Sequence, residues 1–380
     1  MKKLIPVILV ICMVLCGCNE GDVQPSATTT VPAVTTGPST QPSTEPVTQP
    51  TTEPPTVPPT VPPTEPATEP PTEPVLNYRH PITGELLAEP MTNRPVAIVI
   101  NNIQNAQPLH SISHADVLFE IVAEGTVTRF LGIYTDLAGV ENIGSIRSSR
   151  TYLIDLARSF NAPLIHCGGS IFALEELQTS GWPHLDEMYN NRYFYRNQDR
   201  LNKGYPREHT LFAHGDNLLA GLSGYNMTVG EDAYYGFDHA EGEVQLNGAP
   251  ATNIQMTFFK GGKSTHMVYD AESGMYHGTQ YWKNLTAEIA DANYDLVLDF
   301  KNVFILNAVT STNGYRMFAE LSGEGTGYYA CNGQIVPIKW SRDGYAAPFT
   351  YTLEDGTPLT VAVGKTYIGV IPSGSPVEFS

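Results

Sequence analysis

Between Asn19 and Val75 the chain has no aromatic residue, no lysine and no arginine, and units such as Thr52-Glu53-Pro54-Pro55-Thr56 recur. A segment built so largely from Thr, Pro, Glu, Gln, Ser and Val cannot bury enough apolar surface to offset the entropy of ordering it. It reads as a disordered Pro/Thr-rich linker with local polyproline II character. This feature divides the chain, because whatever folds must do so from residue 76 onward, leaving about 305 residues and room for two domains. As a stalk, about 55 residues at about 3.1 Å each would reach about 170 Å extended, or about 40 Å as a flexible coil.

The residues before the stalk explain its purpose. Met1-Lys2-Lys3 precedes an apolar run from Leu4 to Leu15, shorter than the roughly 20 residues a helix needs to cross a bilayer. Positive charge, a short apolar core and small residues are the layout of an export signal, here over residues 1–17. The run ends in Leu15-Cys16-Gly17-Cys18, which resembles the lipobox of bacterial lipoproteins. That resemblance implies a diacylglyceryl group on Cys18, which becomes the new N-terminus while Cys16 leaves with the signal. Two or more acyl chains suffice for stable anchoring. The expected location is the outer face of the cytoplasmic membrane. The alternative is an ordinary cleaved signal with a coincidental cysteine.

The net charge is −18. Seven of the 39 acids lie in the stalk and two of the 21 bases in the signal, so the body keeps 19 bases against 32 acids, a balance of −13. Such a body disfavours nucleic acid, whose binding needs basic patches that release counterions. Besides the anchor only Cys167 and Cys331 remain. They form no disulfide framework and no zinc spacing. Export would permit a bridge between them; the reading preferred here is two small apolar residues.

Residues 76–252 alternate strand and helix signals, which argues for an α/β domain. Val96 to Ile100 is a continuous β-branched run, as in a strand buried on both faces. Asp116–Val122, Thr128–Tyr134 and Pro163–Cys167 read as further strands. Helices are expected after Arg147-Ser148-Ser149-Arg150, on the Leu153, Leu156, Ala157, Phe160 spacing, and after Gly168-Gly169-Ser170. Residues 253–380 are mostly β. Runs such as Val303–Leu306 and Tyr367–Ile371 stand between turn signals, including Asp343-Gly344 and Asp355-Gly356. Gly323 to Ser375 suggests short antiparallel strands in a small barrel or sandwich.

Three blocks in order carry a family resemblance: Arg94-Pro95-Val96-Ala97-Ile98-Val99-Ile100-Asn101-Asn102; Ala115 to Glu120 continuing through Glu124-Gly125 to Arg129-Phe130; and Ile143-Gly144-Ser145-Ile146-Arg147-Ser148-Ser149-Arg150, running on to Asp155-Leu156-Ala157. Together they resemble the YerB-like lipoproteins of Gram-positive bacteria, a family of unknown function. Gly325-Thr326-Gly327 to Trp340 and Asp355-Gly356 to Pro372 are similar to that family's separate C-terminal domain. The resemblance spans most of residues 93–375. It implies two domains and a surface location, and no established catalytic residue.

The chemistry concentrates at Arg147-Ser148-Ser149-Arg150. Either serine can cap the following helix, yet an arginine beside a helix N-terminus meets the positive end of its dipole. Something negative should compensate. One reading is a bound anion, phosphate or carboxylate, held by Arg147, Arg150 and backbone N–H groups. His166, Gly168, Gly169 and Ser170 open a second strand-to-helix turn, and if the two strands are parallel both helix N-termini face one sheet edge. The other reading is internal neutralisation by Glu120, Glu124 or Asp155, with Arg129 in the same network. Glu120 and Glu124 would lie about 13 Å apart on a strand, too far for a cooperating acid–base pair unless the chain turns. His110 and His114 read as loop residues rather than metal ligands, and His166 and Cys167 point to opposite faces of a strand. Tyr189, Arg192, Tyr193, Tyr195, Arg196 and Arg200 could grip a sugar or protein, or simply pack as a half-buried loop.

No catalytic motif, metal site or cofactor signature stands out. The expectation is a tethered, non-catalytic binding or regulatory module for an envelope protein or peptidoglycan. A wall-acting hydrolase and a solute-binding lipoprotein using the arginine-flanked turn are the alternatives.

Overall fold

The computed structural model describes residues 75–228, 235–314 and 316–380. The expected signal peptide, Cys18 and the stalk to residue 74 lie outside the described residues. Among the described residues no helix is long and apolar enough to cross a membrane.

The expected apolar runs form buried strands: β1 (Val96–Asn102), β2 (Val117–Val122) and β3 (Thr128–Tyr134) are buried at every position. Helix α1 (Thr151–Arg158), β4 (Leu164–His166), α2 (Ile171–Ser180) and β5 (His184–Asp186) follow. The second half supplies β6 (Asn253–Phe259), β7 (Lys263–Asp270), β8 (Met275–Tyr281), β9 (Asn302–Asn313), β10 (Gly323–Cys331), β11 (Gln334–Arg342), β12 (Thr366–Pro372) and β13 (Val377–Phe379).

One twelve-stranded sheet takes strands from both halves, in the order β11-β10-β9-β12-β2-β3-β1-β4-β5, with Ala249–Pro250 at the β11 edge. The join is β12, parallel to β9 on one side and to β2 on the other. The small barrel or sandwich expected over Gly323–Ser375 is therefore corrected. β10 and β11 do form an antiparallel hairpin, but Thr366 to Ile371 is buried throughout, and a strand apolar on both faces belongs inside a covered sheet.

β6, β7, β8 and β13, with the short strands Thr286–Glu288 and Asp299–Phe300, build a second, six-stranded antiparallel sheet in which β6 and β8 alternate buried and less buried positions. It packs on one face of the large sheet while α1 takes the other. Alternation along β2 shows this: Phe119 meets Phe160, just past α1, and its neighbour Glu120 meets Lys263 of β7. The described residues from both halves form one compact unit.

Candidate binding site at two parallel turns

The chain reaches α1 by a different route from the one expected. Ile143–Gly144 pairs with Leu211–Ala213, and Ile146 bridges Ile100 in antiparallel sense, whereas β4 runs parallel to β1. The two lead-ins are thus not parallel strands. The turns that follow them nevertheless lie side by side. Ser149 bridges Gly169 in parallel, Cys167 N donates to Arg147 O (3.1 Å), Ser149 N to Gly168 O (2.9 Å) and Ser170 N to Ser149 O (3.2 Å). Both helix N-termini open together.

The caps differ. Ser170 caps α2, accepting from Ala173 N at 3.2 Å. Neither serine caps α1, contrary to expectation: its N-cap is Arg150, with no side-chain cap hydrogen bond. The backbone of Ser149 is committed to the neighbouring turn, which leaves Arg150 to begin the helix.

Internal neutralisation accounts for part of the positive charge. Glu124 engages Arg150 through both oxygens, with Nη2 at 2.8 Å, and lies 3.6 Å from Arg129. Burial acts to raise the Glu124 carboxyl, but the Arg150 hydrogen bond and the two guanidinium charges hold it below the usual range. Burial, reinforced by Arg150, lowers Arg129 to about 10. Arg129 also donates to Ser148 O at 2.9 Å.

The other two expected acids go elsewhere. Glu120 faces the small sheet, where it pairs with Lys263 at 2.7 Å, while Glu124 lies past the end of β2. Asp155 pairs with Arg158 at 3.5 Å, and Arg158 also binds Glu176. Arg147 is left with the Glu208 carbonyl at 3.1 Å, a buried Nε without a hydrogen-bond partner, and no carboxylate oxygen within 4.0 Å among the described residues. Arg129 and Arg150 share the one close carboxylate, Glu124.

The second turn is poor nucleophile chemistry. His166 is fully buried, its Nδ1 bonded to Gly168 O at 2.8 Å, and burial lowers its pKa. Burial and the Glu187 hydrogen bond (3.2 Å) push the Cys167 thiol up to about 12, far from the depressed values of reactive cysteines. Cys331 is buried in β10, and both cysteines are free.

Three exposed side chains flank these turns, and of them only Tyr189 stood out in the sequence as a possible contact residue. Ile171, Met188 and Tyr189 are 62 %, 66 % and 83 % exposed. Met188 Cγ would lie 3.6 Å from a Cβ at Gly168. The rest of the aromatic–arginine segment disperses. Tyr195 stacks on His214, Arg192 sits over Tyr193, and Arg196 pairs with Glu187. Arg200 is a core residue donating to the carbonyls of Ala106, Pro108 and His209. His110 and His114 bond Asn293 (2.8 Å) and Tyr294 (3.0 Å), and no metal-binding cluster occurs among the described residues.

Two family models match: the N-terminal domain of "Protein of unknown function (DUF3048)" over residues 82–228, and the corresponding C-terminal domain over residues 254–368. The chain belongs to the YerB-like family. A member named "Putative lipoprotein YerB", from Bacillus subtilis (strain 168), is 26% identical over 319 residues, covering 77% of this chain and 86% of that one. The crystal structure of YerB protein from Bacillus subtilis has the same fold, with a TM-score of 0.66 at 23% identity, over 79% of this chain and 99% of that one. In this YerB-like chain the arginine turns fall within the N-terminal family domain.

Proposed function

We propose that this chain is a membrane-tethered, extracytoplasmic binding module of the cell envelope, anchored through Cys18 and carried on its stalk, and that the paired turns are where it meets a protein partner. The observation carrying this reading is Arg147, a cation without a close carboxylate among the described residues, beside exposed Ile171, Met188 and Tyr189. Arginine, methionine and aromatics are the residue types enriched at protein interfaces. On a body with a charge balance of −13, a local cationic spot favours a partner segment bearing carboxylates.

The test begins with residues 71–380 and purified cell wall. Released soluble fragments would defeat the binding reading in favour of a hydrolase. Photo-crosslinking from position 189 in cells is expected to capture one envelope protein, and Arg147→Ala to weaken that capture about tenfold, the scale of one charge-assisted contact, with an unchanged melting temperature. Capture unaffected by Arg147→Ala would remove the turns from the interface. Mass spectrometry of the mature N-terminus should find a doubly or triply acylated Cys18; an acyl-free polypeptide inside the cell would end the envelope reading.

A further inference from the structure

At one edge of the molecule four strands end or begin together. β1 ends at Asn102, β3 begins at Thr128, β7 begins at Lys263, and β8 ends at Tyr281. The residues just beyond them, drawn from both halves of the chain, enclose a cavity of about 340 Å³, at the small end of the roughly 300–1,000 Å³ usual for small-molecule sites. Its lining includes Gln104, Asn105, Thr126, Gly262, Trp282 and Lys283, and no acidic residue.

Residues adjoining the lining in the chain form a buried polar network. Asn102 donates to Gln280 Oε1 (2.6 Å), to Thr128 (2.9 Å) and to Glu120 (3.1 Å). Lys263 Nζ stands 5.1 Å from the Trp282 ring centroid, and Trp282 N bonds Leu285 O at 2.8 Å. Lysine charge over the ring and the backbone tie hold the indole in place. Trp282 Nε1 and Gln280 Nε2 are buried away from solvent in this network, without a hydrogen-bond partner among the described residues.

We infer that this cavity is a saccharide site, taking a neutral pyranose ring alone or at the end of a glycan. An indole presents an apolar surface to the C–H face of a sugar. Side-chain amides offer donor and acceptor together, which suits vicinal hydroxyls that are both. An anionic ligand would call for a guanidinium fork, and Lys283 is the one charged side chain in the lining. The arginine turns contribute no residue to this lining. The loop after β2 gives Glu124 to them and Thr126 to this cavity, so the two sites are separate.

The experiment titrates the full chain with glucose, N-acetylglucosamine and short β-1,4-linked oligomers of the latter, following heat and tryptophan fluorescence. Saturable binding with a fluorescence change is expected. The double variant Gln104→Ala/Asn105→Ala should weaken it about tenfold without moving the melting temperature. Trp282→Phe, which keeps an aromatic ring in the packing, should remove most of the fluorescence change and weaken binding. Arg147→Ala should leave sugar binding intact, which keeps this test independent of the partner surface. No saturable binding of any of these sugars at millimolar concentration overturns the inference, as does binding that survives both cavity variants.

Discussion

Glu120 is the residue on which the two halves meet. It pairs with Lys263 at 2.7 Å and accepts from Thr128 (2.7 Å), Thr265 (2.7 Å) and Tyr367 (2.6 Å), all of them at most 1 % exposed. Removing one member of a buried ion pair strands the other charge, at about 3–5 kcal/mol. Glu120→Gln should lose stability on that scale in denaturant melts. The double variant Glu120→Gln/Lys263→Met should lose less than Glu120→Gln alone, because no charge is left unpaired; strict additivity would show that the pair is not coupled. Asp155 gives a pH signature. Burial, then the neighbouring Glu176 charge, raise its carboxyl to about 7 from 3.8. A carboxyl whose folded pKa lies above its unfolded value contributes stability that is present below about pH 4 and lost as pH rises through about 7. Asp155→Asn should therefore gain in melting temperature relative to the parent between pH 5 and pH 8; a constant difference across that range would contradict the assignment.

At the scale of elements, β12 is the piece that decides the topology. Its side chains are apolar enough to predict a buried strand, but nothing local says that it inserts in parallel between β2 and β9. Its centre is pressed against the small sheet. A Cβ at Gly369 would come within 2.7 Å of Met256 Sδ and 3.6 Å of Phe258. Gly369→Val should thus overpack the seam and cost about 1–3 kcal/mol, read as a lowered denaturant midpoint, whereas Gly374→Ala, with nothing within 4 Å but a φ of +84°, should cost only the backbone strain. The helices were more legible. The Leu153, Leu156, Ala157 spacing placed α1, and the Gly168-Gly169-Ser170 turn announced α2, which Ser170 proves to cap. The identity of α1's cap was not legible, because Ser149 is engaged by a turn that becomes its neighbour only in the folded chain.

For the whole molecule, the continuous sheet means that the two family domains should not unfold separately. Trp182 lies in the first half and Trp340 in the second, and Trp340 is buried against Phe349. Single-tryptophan variants reporting from each position should give coincident transitions in denaturant. Residues 75–252 alone should fail to fold, since β2 would lose its β12 partner and Glu120 would face water without Lys263. Two separated transitions would mean that the seam is weaker than its buried contacts indicate.

The sequence by itself determined the buried strands β1 to β3 and the two helices. Each of these rests on local composition or periodicity, which short stretches of chain express on their own. Only the tertiary structure decided that β12 joins the halves, that Glu120 turns from the arginines to Lys263, that Arg147 lacks a close carboxylate, and that a cavity opens at the seam. Those outcomes depend on which distant segments pack together, and the free energy of such long-range pairing is not written in any one segment.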